Sequence, residues 1–290
     1  MDAVSRIEQT LSAALANGEV AGCPPRLAAA LRYAVFPGGA RIRPRLCLAV
    51  ATACGGGNDT GIADAAAASI ELLHCASLVH DDLPCFDDAA IRRGKPSVHR
   101  AYDERLAVLA GDALIVLAFE VLARAAANAP QRLGPLVMTI SKAVGMPSGI
   151  VAGQAWECEP RVGLADYHRA KTGALFAAAT VAGAAAAGVD AEPWRELGER
   201  LGEAYQVADD IRDVAADPQE LGKPIGQDAI LGRPSAAREL GLQGAIARLK
   251  QLVNGAIASI PACPGAEELK AHIVMEAQGL LPKELARRAA

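Results

Sequence analysis

Two groups of closely spaced aspartates are the residues of this sequence whose types and spacing are best suited to chemistry. The first group is Asp81-Asp82-Leu83-Pro84-Cys85-Phe86-Asp87-Asp88, and the second is Asp209-Asp210-Ile211-Arg212-Asp213. Each group follows a mostly apolar stretch with strong helical character. Mg²⁺ binds carboxylate oxygens, keeps several waters and accepts phosphate oxygens of a substrate. The two groups therefore favour magnesium-dependent chemistry on a phosphorylated substrate.

The two groups differ in the geometry that their spacing allows. Asp209 and Asp213 are four residues apart, which places them on one helix face, about 6 Å apart along the axis. Two like charges so placed repel each other, and a bound cation removes that cost. Asp81 and Asp87 are about 240° out of phase on a helix, and Pro84 lies between them. We predict a helix end followed by a turn that folds Asp87 back toward Asp81.

Four basic segments accompany the acidic groups, and each of them contains glycine together with arginine or lysine. They are Gly38–Arg45, Ile91–Pro96, Lys171–Gly173 and Gly222–Asp228. Glycine lets the backbone approach a phosphate closely, and the arginine fork matches phosphate oxygens. One acidic group alone is equally explained by a solvated helix end. Two acidic groups and four basic segments predict a site for more than one polyanion.

Composition and charge restrict the class of protein. Of the 290 residues 52% are apolar and only 3% aromatic, and alanine dominates, which favours packed helices over sheets. The net charge of −4 is spread without a basic stripe, so nucleic acid is not an expected partner. The seven cysteines contain no CxxC pair, which predicts neither a disulfide framework nor a zinc site and agrees with a cytoplasmic location.

The sequence contains none of the patterns that would indicate a secreted protein, a membrane protein or several other enzyme classes. The N-terminal residues lack the apolar core of a signal peptide, and the longest apolar stretch, Ala174–Val189, is shorter than the roughly 18–20 residues of a membrane span. We therefore expect no membrane span and a single domain over residues 1–290. No GxxxxGK[ST] loop, HExxH motif or Ser-His-Asp arrangement is visible.

Helical periodicity covers most of the chain. Helices are predicted at Asp2–Asn17, Pro25–Ala34, Pro44–Ala53, Gly61–Asp82, Leu106–Ala127, Gln131–Ala143, Ile150–Glu157, Leu164–Gly188, Pro193–Val214, Ala236–Leu240, Gly244–Ile260 and Ala266–Gly279. The helix at Gly61–Asp82 is apolar on nearly every side yet carries Glu71, His74 and His80, and buried polar groups are costly unless paired. Its end is therefore the first place to look for function. The Gly- and Pro-rich segment Ala215–Pro234 is a predicted functional loop.

The motifs DDLPCFDD…RRGKP and QVADDIRD…GKPIGQD resemble those of the trans-prenyl (polyprenyl) diphosphate synthases, specifically the bacterial geranylgeranyl and farnesyl diphosphate synthases. The resemblance runs from about Tyr33 to Ser235. It implies an all-α fold, a single large bundle of antiparallel helices around a central cavity, usually in a homodimer. Two aspartate-bearing helices face each other in that family and hold three Mg²⁺ ions. The implied reaction condenses isopentenyl diphosphate with an allylic diphosphate, head to tail.

The resemblance also assigns roles to residues of this chain. The implied metal ligands are Asp81, Asp82, Asp87, Asp209 and Asp213. Asp210 and Asp213 complete the second motif, as a catalytic and a substrate-binding residue. The residues implied to hold the allylic diphosphate and the developing cation are Lys171, Thr172, Gln206 and Lys223, with Arg92 and Gln154 beside them. The residues implied to contact isopentenyl diphosphate are Arg43, His74 and Arg93.

Three positions depart from the family pattern. Ala40 stands where the family usually has a lysine that contacts isopentenyl diphosphate, and Arg41 or Arg45 is a candidate to replace it. Glu157 stands where an aspartate is usual after Gly-Gln. Arg233 stands where the loop often carries lysine, which keeps the charge.

The length of the product depends on the depth of the pocket that receives it. Ala76 and Ser77 precede the first aspartate group by about one helical turn, and Leu73 lies a turn further down. The resemblance implies that bulky aromatics at the positions of Ala76 or Ser77 stop the product at fifteen carbons. Both residues are small here, so we expect the twenty-carbon product, geranylgeranyl diphosphate. A farnesyl diphosphate synthase is the alternative.

Two further hypotheses stay open. A class I terpene cyclase or a head-to-head synthase also uses aspartates and Mg²⁺ but needs no isopentenyl diphosphate site, so Arg43, His74 and Arg93 speak against it. A non-catalytic partner subunit that modulates an active synthase should have lost aspartates, and this chain retains both groups. Ala40 is the one feature in favour of such a subunit.

Overall fold

The structure is a computed structural model that describes residues 2–56, 60–159, 169–215 and 235–280, and most of these residues are helical. The helices are α1 (Ala3–Gly18), α2 (Pro25–Val35), α3 (Ile42–Ala53), α4 (Thr60–Asp81), α5 (Val98–Ala101), α6 (Glu104–Ala125), α7 (Leu133–Val144), α8 (Ile150–Ala155), α9 (Ala174–Ala187), α10 (Arg195–Ala215), α11 (Ala236–Ala258) and α12 (Ala266–Leu280). The predicted all-α class is confirmed.

Short elements complete the chain between these helices. The antiparallel strands β1 (Ile91–Arg92) and β2 (Lys95–Pro96) form a hairpin, with Arg92 opposite Lys95. Single 3₁₀ turns lie at Ala126–Asn128, Pro130–Arg132, Trp156–Cys158 and Glu192–Trp194, and a π-helical turn at Arg169–Gly173 runs directly into α9. The π-turn and the hairpin both carry residues of the basic segments.

Most of the predicted helices are present, with bounds that differ by a few residues. The predicted helices Ala236–Leu240 and Gly244–Ile260 lie in α11, whose backbone is non-helical at Gly241, where φ is +69°, so the predicted break between them is confirmed. Of the predicted helix Leu164–Gly188, residues 164–168 lie outside the described residues. The hairpin and α5 were not predicted, because two-residue strands are too short to show a periodicity. The predicted loop Ala215–Pro234, with Lys223 and Arg233, lies outside the described residues except for Ala215, which is the last residue of α10.

Contacts between Cα atoms divide the chain into two compact units. The first comprises Met1–Thr52, Gly56–Ile140 and Ala182–Val189, and the second comprises Ala53–Gly55, Ser141–Val181 and Asp190–Ala290. The prediction of a single domain stays a prediction.

In the first unit the buried helix α4 packs along α6. A Cβ atom at Gly111 of α6 would lie 2.0 Å from the Nε2 atom of His80, so glycine lets the imidazole lie directly on the α6 backbone. That Nε2 atom is 3.2 Å from the carbonyl oxygen of Val108. The C-terminal end of α4, which carries the first aspartate group, is thereby fixed to a second long helix.

In the second unit α10 packs closely against α9 and the π-turn. A Cβ atom at Gly198 would lie 2.5 Å from Cα of Ala177, and one at Gly202 would lie 2.9 Å from Cα of Gly173. The hydroxyl of Thr180 donates to the carbonyl of Trp194 at 2.8 Å. These contacts set the height of α10, and so of the second aspartate group, relative to the π-turn.

Three helical segments of the described chain are long and apolar enough to cross a membrane, by length and composition only: Gly61–Asp81, Glu104–Ala125 and Arg169–Ala187. The uninterrupted apolar stretch Ala174–Val189 did not by itself indicate these three segments. In the most apolar 18-residue window of each helix, 78%, 39% and 78% is buried within the protein. The expectation that the chain has no membrane span stays a prediction.

Candidate active site

The first aspartate group forms a compact turn at the end of α4. The backbone N–H of Asp87 donates to the carbonyl of Asp81 at 3.0 Å, and the N–H of Asp88 donates to the carbonyl of Leu83 at 3.1 Å. Pro84 has no N–H to continue the helix, so the chain reverses there. The predicted turn that folds Asp87 back toward Asp81 is confirmed. Asp87 is exposed and Asp81 is half-buried, so both carboxylates are within reach of a ligand.

Asp82 takes a different part in this turn. Its side chain is buried, and the Nε atom of Arg92 donates to Asp82 Oδ1 at 2.9 Å and to Oδ2 at 3.2 Å. Burial raises the pKa of the Asp82 carboxyl, and the paired Arg92 guanidinium opposes that shift. The bidentate pair fastens the hairpin to the end of α4. In this structure Asp82 therefore orients Arg92, and its predicted role as a metal ligand stays a prediction.

A cationic patch surrounds His74 on the same helix. The Nη1 atom of Arg43 lies 3.5 Å from the Nε2 atom of His74. Burial lowers the pKa of His74 well below its usual value, and the charges of Arg43 and Arg93 lower it further. The ring is therefore neutral near pH 7 and accepts the hydrogen bond from Arg43. Arginines gathered around a neutral ring can bind a polyanion, which agrees with the roles predicted for Arg43, His74 and Arg93.

Arg93 reaches this patch over a glycine. Its φ is +54°, and a Cβ atom added to Gly39 would lie 3.1 Å from its Nη2 atom. Gly39 thus leaves the space that the guanidinium occupies, next to Ala40, where the family usually has lysine. The Nη2 atom of Arg93 is 4.0 Å from Glu71 Oε1, which tethers it loosely.

Arg41 does not replace the missing lysine, contrary to one of the two possibilities that the sequence left open. Its side chain is 1% exposed and donates to Glu8 Oε1 at 2.8 Å and to the carbonyl of Val35 at 2.9 Å, and its Nη1 atom lies 2.5 Å from Glu71 Oε1. Burial alone would lower the pKa of the guanidinium, but the two carboxylates raise it overall. All the contacts described for the Arg41 guanidinium are within a buried ion-pair network. Arg45 is therefore the remaining candidate to replace the lysine that the family usually has at position 40.

A lysine clamp joins the hairpin to α2. The Nζ atom of Lys95 donates to the carbonyl of Phe36 at 2.7 Å and lies 3.8 Å above the centroid of the Tyr33 ring. The hydroxyl of Tyr33 donates to the carbonyl of Pro96 at 2.8 Å. Burial lowers the pKa of Lys95, and the charge of Arg93 adds to this. The clamp fixes the loop that leads to Ala40 and Arg43.

The second aspartate group lies in the last turns of α10, so Asp209 and Asp213 share one face as predicted. Asp209 pairs with Arg212 at 3.3 Å. Asp210 is buried and accepts from Gln206 Nε2 at 3.1 Å and from the N–H of Ala236, at the start of α11, at 2.8 Å. Asp210 therefore connects two helices of the second unit.

Gln206 extends this connection to the π-turn. The hydroxyl of Thr172 donates to Gln206 Oε1 at 3.2 Å, so three residues predicted to be catalytic, Thr172, Gln206 and Asp210, form one hydrogen-bonded chain. Gln206 and Asp210 also line a cavity of about 870 Å³, whose wall includes Glu199, Glu203 and Arg248. No motif in the sequence indicated this charged cavity.

Lys171 of the π-turn is paired with Glu157. The Nζ atom of Lys171 lies 2.6 Å from Glu157 Oε1, and Gln154 Nε2 donates to Glu157 Oε2 at 3.2 Å. Two residues that the resemblance marked, Lys171 and Gln154, thus share one carboxylate. Lys223, the other predicted lysine, lies outside the described residues.

The residues predicted to set the product length lie on α4. Leu73 and Ala76 are buried, and Ser77 is half-buried, with its hydroxyl donating to the carbonyl of His74 at 2.8 Å. The small side chains at positions 76 and 77 are one turn from the aspartate turn, as the spacing requires.

The carboxylates present fit Mg²⁺, although within the described ranges no three Asp, Glu, His or Cys side chains converge into a complete metal site. Mg²⁺ is commonly held by one or two carboxylates together with waters and substrate phosphates, and does not need a cage made by protein alone. The turn that joins Asp81 to Asp87 supplies such a pair, and Asp209 with Asp213 supplies another on one helix face.

Comparison with known proteins identifies the class. The model of the polyprenyl synthetase family matches residues 24–265, and the chain belongs to that family. It is 60% identical over 283 residues to the geranylgeranyl diphosphate synthase of Cereibacter sphaeroides, covering 98% of both chains. It is 53% identical over 276 residues to the geranylgeranyl diphosphate synthase of Rhodobacter capsulatus, covering 95% of both chains.

Solved structures agree with this assignment. The geranyltransferase of Helicobacter pylori, complexed with magnesium and isoprenyl diphosphate, is 32% identical, with a TM-score of 0.79 over 94% of this chain and 95% of that one. The geranyltransferase of Legionella pneumophila is 29% identical, with a TM-score of 0.79 over 96% of this chain and 94% of that one.

Proposed function

We propose that this chain is a geranylgeranyl diphosphate synthase, which condenses isopentenyl diphosphate with an allylic diphosphate in head-to-tail elongation. The observation that carries this proposal is the 60% identity over 98% of both chains to a relative with that name. The cationic patch around His74 supports it, because a cyclase would need no second diphosphate site.

Mg²⁺ is the proposed cofactor, with three ions as the family resemblance implies. A neighbour with bound magnesium and the two carboxylate pairs, Asp81 with Asp87 and Asp209 with Asp213, support this. The ions supply Lewis acidity, which stabilises the negative charge that grows on the diphosphate as it leaves. Asp82 holds Arg92 toward the same charge.

The side chains of this protein have the following proposed tasks. Arg43, His74 and Arg93 hold isopentenyl diphosphate, so that its double bond is aligned with the allylic carbon. Lys171, Thr172, Gln206 and Lys223 hold the allylic substrate. The carbocation left after the diphosphate departs forms a bond to the double bond of isopentenyl diphosphate. The departing diphosphate then takes the proton that restores an alkene. The apolar length of α4 excludes water, which would convert the cation to an alcohol.

The proposed product has twenty carbons. Ala76 and Ser77 present no aromatic wall one turn below the aspartate turn, and both relatives above are named for the twenty-carbon product. A product of fifteen carbons is the alternative.

A homodimer in the cytoplasm is the proposed state of the protein. Helix α6 supports the dimer, because Val108, Leu109 and Val116 are 42%, 51% and 66% exposed on a strongly apolar helix. A second copy of α6 would cover this face with a surface of the same character. Light scattering tests this, and the mass of a single chain at micromolar concentration contradicts it.

One assay tests the function. Radiolabelled isopentenyl diphosphate is incubated with dimethylallyl, geranyl or farnesyl diphosphate, with and without Mg²⁺, and the products are sized by chain length. We expect a C20 diphosphate from each primer with Mg²⁺ and none without it. A parallel incubation uses a radiolabelled allylic diphosphate alone, and a labelled hydrocarbon formed there would indicate a cyclase. The absence of product in both incubations would indicate a non-catalytic subunit.

A further inference from the structure

The carboxylate of Glu157 holds two side chains that come from different elements. Glu157 lies in the 3₁₀ turn Trp156–Cys158, directly after α8. Its Oε1 atom is 2.6 Å from the ammonium nitrogen of Lys171, 14 residues further along the chain. Its Oε2 atom accepts from the amide nitrogen of Gln154 at 3.2 Å. Each oxygen therefore fixes one partner.

The backbone beneath this carboxylate is also closely packed. A Cβ atom at Gly153 would lie 2.5 Å from the backbone nitrogen of Lys171 and 2.7 Å from its Cα atom. Only glycine allows α8 to approach the π-turn so closely. Because the two backbones touch, the distance that the Glu157 side chain must span is set by the fold.

The solvent exposure of the Lys171–Glu157 ion pair distinguishes a role in folding stability from a role in orienting the Lys171 side chain. The side chains of Lys171 and Glu157 are 21% and 26% exposed. Ion pairs in contact with solvent contribute little to folding stability. A lysine has several rotatable bonds and, without a partner, occupies many orientations, so the carboxylate acts chiefly on the direction of the ammonium group. An ammonium has three N–H donors, and a bond to Glu157 does not by itself prevent contact with a diphosphate.

We propose that Glu157 is a positioning residue, which aims Lys171 and Gln154 together at the diphosphate that leaves. The proposal rests on the proposed function. Lys171 keeps its charge when Glu157 is altered, so attraction of the substrate persists. The substitution removes the alignment of the Lys171 ammonium group with the leaving diphosphate. This alignment affects the rate of the chemical step.

Kinetics of variants test the alignment. Glu157→Gln retains the length of the side chain and removes its charge. We expect kcat to fall about tenfold, while KM for the allylic diphosphate changes less than about twofold, because misplacement of a reacting group by about 1 Å is enough for such a loss. Glu159→Gln makes the same change at an exposed position two residues on and is expected to behave like the wild type. Unaltered kcat in Glu157→Gln would overturn the proposal.

A double-mutant cycle tests whether Glu157 acts through Lys171. If it does, Glu157→Gln has little further effect in a Lys171→Gln background, and the double variant matches Lys171→Gln within about twofold. Effects that multiply would show that Glu157 acts independently of Lys171. Equal melting temperatures of the four proteins exclude a general loss of folding.

Acetylation by acetic anhydride gives a readout that needs no elongation activity. Mass spectrometry follows the rate at which Lys171 is modified, with Lys142 as the internal reference. We expect Lys171 to react at least threefold faster in Glu157→Gln than in the wild type or in Glu159→Gln. Equal rates would contradict the pairing. The two proposals can fail separately. If the wild type makes no C20 product but Lys171 is still acetylated faster in Glu157→Gln, the proposed function is wrong and the pairing of Glu157 with Lys171 is confirmed.

Discussion

The backbone N–H of Asp87 donates to the carbonyl of Asp81 at 3.0 Å, across a turn that contains Pro84. The bond brings two carboxylate-bearing residues together although they are six positions apart and would lie on different faces of a continuous helix. The bond is made by backbone atoms, so it leaves the carboxylate oxygens of both residues available to a ligand.

The buried network of Arg41 predicts a large loss of stability on substitution. Arg41→Met leaves Glu71 buried without its closest cation, and breaking a buried pair in this way costs about 3–5 kcal/mol. Urea unfolding measures the change. Arg100→Met is the control, because Arg100 pairs with Asp88 on the surface, where the loss is about 0–1 kcal/mol. Equal losses in the two variants would refute the structural role of Arg41.

The position of Ala40 predicts a gain of affinity on substitution. Ala40 is exposed beside Gly39 and Arg93, so Ala40→Lys adds a cation at the edge of the His74 patch. We expect KM for isopentenyl diphosphate to fall about threefold, an effect of the size that one added surface charge supplies. KM for the allylic substrate should stay constant. Ala13→Lys, at an exposed position of α1, controls for net charge, and an unchanged or higher KM in Ala40→Lys would contradict the assignment of the patch.

His74 predicts a dependence of stability on pH. Its pKa is lowered in the folded protein, so the unfolded chain binds a proton at a pH where the folded protein does not. Above pH 6.5 the protonation of His74 therefore does not reduce the free energy of unfolding. As the pH falls below 6.5, the unfolded chain binds this proton and the free energy of unfolding decreases. Between pH 7.5 and 5.5 the wild type should lose about 1 kcal/mol more than His74→Gln, measured by urea unfolding. Parallel losses in the two proteins would show that His74 titrates normally.

The small residues of α4 predict the length of the product. Ala76→Tyr should shorten the product from twenty to fifteen carbons by closing the pocket below the aspartate turn. Because Ala76 is 1% exposed, overpacking there costs about 1–3 kcal/mol, so Ser77→Tyr at a half-buried position is made in parallel. Product sizing with farnesyl diphosphate measures both. Continued C20 synthesis by both variants would rule out this wall.

The sequence predicted the features that depend on local spacing. The phase difference of Asp81 and Asp87, with Pro84 between them, was enough to predict the turn. The four-residue interval was enough to place Asp209 and Asp213 on one face of α10. The class of fold followed from the composition, since alanine-rich apolar periodicity rarely has another outcome.

The features that the sequence did not predict depend on long-range contacts. Arg41 is 33 residues from Glu8 and 30 from Glu71 in the sequence. No local sequence pattern therefore predicts that these charged groups contact one another in the protein interior. Gly38 is the one signal that could have revealed it, because a Cβ atom there would lie 2.2 Å from the Arg41 guanidinium. The hairpin that carries Arg92 and Lys95 is too short for any periodicity. The hydrogen bonds between Arg92 of this hairpin and Asp82 are visible only in the structure.

The central claim is that carboxylates of both aspartate groups bind the Mg²⁺ ions that stabilise the leaving diphosphate. The dependence of C20 synthesis on Mg²⁺ tests this claim most directly. Product formation is titrated with Mg²⁺ in the wild type, Asp87→Asn and Asp209→Asn, with Asp88→Asn as the neighbouring control, because Asp88 is paired with Arg100. We expect kcat/KM to fall about 10²–10³-fold in the first two variants, the loss typical of one removed charge-stabilising group, with a higher Mg²⁺ requirement. The control should lose less than about threefold. Full activity of either variant at the Mg²⁺ concentration that the wild type needs would contradict the account.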